Sequence, residues 1–208
     1  MILKHKYFID SHKCSTAPVV LAMMSHYGAM ENRTAWVYLG LHGTYGFLWV
    51  LKSRTFGDKQ WEKPTTPILA LGTWLVLSSY WIAPWMITAR GIEAPAWLLG
   101  GAIAVYALGV FFHFASDMQK HTALAARPGR LITDGLWSRS RNPNYFGELL
   151  IYAAFTSLAL HWVPLAALGS IVLAVWFPNM LRKDKSLSRY PDFAAYKART
   201  TLFVPYLF

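Results

Sequence analysis

The chain has 208 residues, 55% of them hydrophobic and only 14% charged. A soluble protein of this size needs more charge on its surface, so the composition excludes an ordinary soluble globular domain and predicts an all-α, polytopic integral membrane protein. The net charge of +10 admits a nucleic-acid partner, but the placement of the basic residues assigns that charge to membrane topology.

The opening segment, MILKHKYFIDSHK, is polar and precedes no short apolar core with a cleavage site, so no cleavable signal is expected. The single cysteine, Cys14, excludes an internal disulfide and a cysteine-rich metal site. Six apolar spans follow, at 14–30, 34–51, 66–88, 95–116, 144–160 and 163–181. A helix needs about 20 residues to cross the hydrocarbon, and the first and fifth spans are short. The fifth and sixth are joined only by His161-Trp162, which reads as a tight helical hairpin. Of the 20 lysines and arginines, 18 fall at the two termini or in the second and fourth loops, 52–65 and 117–143. Arg33 and Arg90 alone lie in the alternate loops. With six spans and both termini in the cytosol, every loop obeys the positive-inside rule. The partner so predicted is a lipid bilayer, either a bacterial inner membrane or a eukaryotic endomembrane. Trp and Tyr supply the interfacial belts. No repeat, low-complexity tract or linker divides the chain, so 1–208 is read as one membrane domain.

The second span, TAWVYLGLHGTYGFLWVLKS, carries a pattern of its own. Tyr38, His42, Tyr45, Trp49 and Lys52 fall within about 80° of one another on a helix. Gly40, Gly43 and Gly46 step along a neighbouring arc, where they permit close approach by a helix or a ligand. A polar aromatic stripe inside a membrane helix points to a cavity or a helix contact. Tyr45, with His42 behind it, is the candidate catalytic acid, and the glycines are expected to leave room for a substrate. His26 and His113 are isolated and read as structural. Their spacing is not that of a metal site.

There is no GxGxxG, P-loop, HExxH, CxxC pair or GxSxG, so any cofactor must be held by loops and helix ends of the membrane domain itself. The best such place is LWSRSRNPNYFGELLIYAAF, residues 136–155. Asn142 suits an N-cap and Pro143 the first helical position, so the fifth helix is expected to start there. A helix N-terminus favours anions, and Arg139 and Arg141 flank it. Asn144, Tyr145, Glu148 and Tyr152 then share about one quadrant of the helix. Glu148 is too deep for a capping box, and a charge there costs several kcal/mol unless it is paired or faces a polar cavity.

RNPNYFGE resembles the Arg-His-Pro-Asn-Tyr-x-Gly-Glu signature of membrane steroid and sterol reductases, in the C-terminal domain of the steroid 5-alpha-reductase type. ASDMQKHTAL and GRLITDGLWSRS resemble the segments before it, and RKDKSLSRYPDFAAYKARTTLFVPYLF resembles that family's tail. The likeness covers about residues 105–208. It implies that this half binds NADPH. Lys120, Arg130, Asn142, Asn144, Tyr145, Glu148, Arg182, Asp184, Lys185, Tyr190 and Tyr196, with Arg141 beside the helix start, would contact or frame the nucleotide. It also implies reduction of a polarised carbon–carbon double bond in a lipophilic, steroid- or isoprenoid-like substrate. Two departures are visible. Asn142 stands where the family has His, and the first four spans contain no Gln or Glu to match the Gln–Glu pair that contacts the substrate carbonyl in steroid 5-alpha-reductases. Isoprenylcysteine and phospholipid methyltransferases resemble this region too, which keeps an S-adenosylmethionine-dependent methyltransferase as an alternative. The missing pair keeps a third, a catalytically silent subunit of a larger membrane complex.

Overall fold

The computed structural model describes residues 3–207; the first two residues and the last of the 1–208 domain lie outside it. Among the described residues every named element is helical. They are α1 (His5–His26), α2 (Arg33–Thr55), α3 (Pro67–Ser78), α4 (Ile82–Ala89), α5 (Ala96–Ala126), α6 (Pro143–Ser157), α7 (Trp162–Ile171), α8 (Phe177–Leu187) and α9 (Phe193–Ala198). Short 3-10 turns occur at Lys59–Glu62, Ser79–Trp81 and Gly135–Ser138, and a π-helical turn, Val172–Trp176, joins α7 to α8.

Three stretches are long and apolar enough to cross a membrane: Pro67–Ala89, Ala96–Ala126 and Trp162–Leu187. Among the described residues they coincide with three of the six spans expected, 66–88, 95–116 and 163–181. α1 and α2 have sufficient length, at 22 and 23 residues, but polar residues such as His12, Lys13, His42 and Lys52 dilute their apolarity. α6 has only 15 residues. At 31 residues, α5 extends roughly 46 Å, well past a hydrocarbon core of about 30 Å. The expected His161-Trp162 hairpin is a slightly longer link. α6 ends at Ser157, and Leu160 takes a positive φ of 48° before α7 begins at Trp162.

The chain forms two compact units, one comprising residues up to Ala104 with Ala153–Ala167, the other Val105–Tyr152 with the chain from Leu168 onward. In the first unit α1 packs along α2. A side chain at Gly43 would press Ala17 Cβ at 3.2 Å, and one at Gly46 would strike the Lys13 carbonyl. These two glycines therefore admit the backbone of α1, not a substrate, which corrects the expectation that they leave room for one. Asn32 caps α2 by accepting from the Ala35 N–H at 2.7 Å. Its amide nitrogen donates to Ile92 O, and Ala94 N donates to Thr34 Oγ1, tying the 92–94 loop to the same helix end. At the other end of α2, Lys4 and Lys6 both pair with Glu62, and their hydrogen bonds hold its carboxyl below the usual carboxylate range.

In the second unit α5 and α6 cross at two glycines. A side chain on Gly109 would lie 2.8 Å from Gly147 O, and one on Gly147 would strike the backbone of His113. The loop after α5 is gripped by Gln119, which donates to Asp134 O at 2.9 Å and accepts from Leu136 N at 3.1 Å. Gly135 between them has φ +57°, and Gln119 fills the space that a side chain would need.

Candidate functional site

The site is built in the second unit around the start of α6. Residues 137–142 enter the helix under restraint from three later segments. Ser140 Oγ donates to Phe203 O at 2.7 Å, and the Arg141 and Thr201 amides donate to Thr201 O and Arg139 O. From α9, the Tyr196 hydroxyl donates to Trp137 O at 2.7 Å. From α8, Lys183 donates to Arg141 O at 2.7 Å and to Asn142 Oδ1 at 3.0 Å, with its ammonium 4.3 Å from the centroid of the Trp137 ring.

Asn142 is fully buried at the cap position, yet its side chain does not perform the expected capping. Nδ2 donates to Leu202 O at 2.8 Å, and Oδ1 accepts from Lys183. The sequence pattern identified the helix start but not the later segments that claim the amide. Arg141 and Asp184, both expected at the nucleotide, meet each other. Arg141 Nε lies 2.9 and 3.0 Å from the two Asp184 oxygens, and its Nη1 donates to Thr200 O. Both residues are buried, so the pair is a charge-assisted clamp between the loop and α8. Tyr196 is 2% exposed; burial pushes its phenol up to about 12, with Asp184 adding to the shift and Arg141 and Arg199 opposing it. These four residues hold the shape of the helix entrance.

Asn144, Tyr145 and Glu148 are half-buried on α6, and Tyr152 is buried. Tyr145 and Tyr152 both lean on Trp176, with ring centroids 5.5 and 6.2 Å away. Trp176 ends the π-helical turn, an irregularity that recurs at functional sites. Asn144 has two distinct environments. Its backbone oxygen contacts His113 Nδ1 at 3.0 Å, and because a carbonyl only accepts, Nδ1 carries the hydrogen. Its side-chain Oδ1 is buried and has no hydrogen-bond partner among the described residues. The remaining expected contacts lie outward. Arg130, Arg182 and Lys185 are exposed, Lys120 and Tyr190 are half-exposed, and Arg182 is steadied by Asn179 Oδ1 at 2.5 Å.

Sequence reasoning missed three members of this cluster. His113 reads as isolated along the chain, but the Gly109–Gly147 crossing brings it to Asn144, and its Nε2 lies 4.0 Å from Asp117 Oδ2. The i, i+4 spacing of His113 and Asp117 was the available signal. Lys183 left no comparable trace, because its partners are 41 and 42 residues away.

The two expected catalytic residues lie in the first unit. Tyr45 and His42 are fully buried. His42 Nδ1 is 2.8 Å from the Tyr38 hydroxyl, which donates its own hydrogen to Tyr80 O at 3.1 Å, and the imidazole stacks on Phe155 at 4.2 Å. The Lys13 ammonium sits 4.5 Å from the Tyr45 ring centroid and 5.2 Å from that of Trp49. Lys52 approaches Trp49 as well, at 4.7 Å. The expected stripe thus exists, with α1 contributing a buried lysine to it. Among the described residues no cluster of three His, Cys, Asp or Glu is placed to hold a metal ion.

Comparison with curated proteins found no match. A family described as "Protein of unknown function (DUF1295)" matches residues 59–200, which is more than half of the chain and takes in the start of α6 with α8 and α9. The chain belongs to the DUF1295 family.

Proposed function

We propose that this protein is an integral membrane, NADPH-dependent reductase of a polarised carbon–carbon double bond in a lipophilic, steroid- or isoprenoid-like substrate. The observation that carries the reading is Asn144 Oδ1, a buried acceptor without a partner among the described residues, at the mouth of a helix N-terminus. Such an orphan is costly and calls for a donor, and a dinucleotide brings amide and hydroxyl donors. In this reading Asn144, Tyr145 and Glu148 hold the uncharged parts of the nucleotide. Lys120, Arg130, Arg182 and Lys185 meet its phosphates, which also gain from the α6 N-terminus. Asn142, Arg141, Asp184, Tyr190 and Tyr196 frame the site. NADPH would supply hydride. The protein supplies the proton, which we assign to the Tyr45 hydroxyl, with His42 behind it. The resemblance of RNPNYFGE to the steroid 5-alpha-reductase signature supports the same choice.

The proposed topology is six membrane crossings with both termini in the cytosol, the arrangement in which 18 of 20 basic residues lie on one side. α1, α2 and α6 then cross as inner helices, with their polar residues turned to protein.

One observation favours a second reading. Asp184 neutralises Arg141, a cation beside the helix start, so less charge is left for a pyrophosphate there. S-adenosylmethionine carries no phosphate, and a methyltransferase would not need that charge. Calorimetry on the purified protein decides between them. The reductase reading expects NADPH to bind, S-adenosylmethionine not to bind, and Asn144→Ala to weaken NADPH by roughly three- to tenfold. Tight S-adenosylmethionine binding with none for NADPH would reverse the choice.

A further inference from the structure

His12 is wholly buried in the first unit, and neither of its ring nitrogens has a hydrogen-bond partner among the described residues. A neutral imidazole presents one donor and one acceptor, and burying both unmatched is unfavourable. Its surroundings are aromatic. Trp81 stacks on the ring at 4.6 Å and 12°, and Trp74 meets it edge-on at 5.1 Å and 80°. The two indoles pack against each other at 5.3 Å and 88°, closing two sides of a box. Both indoles are themselves only half-buried, so the imidazole lies one side chain beneath the surface.

That surface lies on a stretch apolar enough to cross a bilayer. Trp74 belongs to α3, whose Leu71, Leu75 and Val76 are exposed, within the stretch Pro67–Ala89 that is apolar enough to cross a bilayer. Trp81 lies in the 3-10 turn that interrupts this stretch between α3 and α4, and such mid-helix breaks mark hinges and binding sites. It is fastened there by one long hydrogen bond, Nε1 to Thr16 Oγ1 at 3.3 Å.

We propose that His12 is the polar contact for the carbonyl oxygen of a lipophilic ligand, which reaches it from the bilayer by displacing the Trp81 indole. The inference rests on the reductase reading for the substrate class alone. An imidazole N–H between two indoles binds a carbonyl conjugated to a flat apolar body, and it takes over the role for which the first four spans offer no Gln or Glu. The ester carbonyl of a membrane phospholipid shares this chemistry, so the test separates the two sources.

The full chain, reconstituted in nanodiscs, is irradiated with one of three diazirine probes: a long-chain α,β-unsaturated ketone, the matching alkane, or a phosphatidylcholine. Labelled peptides are read by mass spectrometry, and NADPH binding is measured on the same preparation. The lipid-facing Leu71, Leu75 and Val76 are open to all three probes, so the readout is Trp74 and Trp81, where the expected result is labelling by the enone above that by the other two, competed by unlabelled enone. His12→Phe, which keeps the aromatic stack, should weaken that competition by roughly two- to tenfold. Equal labelling by the alkane or the phosphatidylcholine, or unchanged competition in His12→Phe, overturns the proposal. If His12→Phe does not fold, the three probes on the wild type decide. NADPH binding without enone labelling removes His12 and leaves the reductase reading, whereas enone labelling without NADPH binding does the reverse.

Discussion

Asp184→Asn tests whether the α6 entrance is held as described. The substitution keeps the size of the side chain and removes its charge. Arg141 is 5% exposed and Asp184 7%, so the guanidinium would be left buried, with only neutral acceptors such as Thr200 O. Breaking one side of a buried ion pair costs about 3–5 kcal/mol, mostly the penalty of the stranded charge. For a chain of this length about 2–4 °C of melting temperature accompanies each kcal/mol, so a drop of about 6–20 °C is expected. Thermal unfolding in a single detergent, followed by tryptophan fluorescence, measures it. The control is Arg141→Met with Asp184→Leu, which removes both charges and should recover most of the loss. A melting point for Asp184→Asn within a degree or two of wild type would refute the reasoning, because the pair would then be a solvated contact. A double variant as weak as the single one would refute it too, by showing that packing and not charge sets the cost.

Gly147→Ala should destabilise by about 1–3 kcal/mol, since its methyl would strike the His113 backbone, while the same change at Gly100, where nothing lies within 4 Å, should be tolerated; the melting points compare them directly. Tyr196 gives a pH dependence. Its folded phenol, pushed up to about 12, titrates above the unfolded value of about 10, so its contribution to stability is intact below pH 10 and is lost as pH rises toward 12. Tyrosinate absorbance should accordingly lose a transition near pH 12 in Tyr196→Phe. If Tyr45 donates the proton, Tyr45→Phe should slow turnover by about 10²–10⁴ with NADPH affinity near wild type, and loss of both would show that it only joins the helices. Labelling of single cysteines from outside sealed vesicles should reach a residue placed at Glu93 and miss one at Lys59; the opposite pattern would invert the topology.

The helical class and the position of the α6 start were legible because they depend on local signals. Apolar runs mark helices, and Asn142-Pro143 marks an entrance whatever surrounds it. The function of each polar residue there was not legible, because contacts distant in sequence decide it. Asn142 has the composition of a cap, yet Lys183 and Leu202 claim its amide from 41 and 60 residues away. Arg141 has the composition of a phosphate ligand, yet Asp184 takes its charge. The glycine step of α2 was visible and its consequence was ambiguous, since a groove that admits a ligand also admits a backbone, and α1 fills it.

The same logic explains why the polar atoms left over are the informative ones. Arg141, Asn142, Asp184 and Tyr196 each have a partner in the fold, so their conservative variants should cost stability before they cost binding. Asn144 Oδ1 and both nitrogens of His12 have none among the described residues, although burial makes that unfavourable. A fold keeps such atoms unmatched where something other than the chain completes them. Asn144 lies at a helix N-terminus, where a phosphate-bearing ligand gains most, and His12 lies behind two indoles on an apolar span, where a lipophilic one does. On the proposed reading, each of these two groups is completed by a ligand of the chemistry suited to its surroundings.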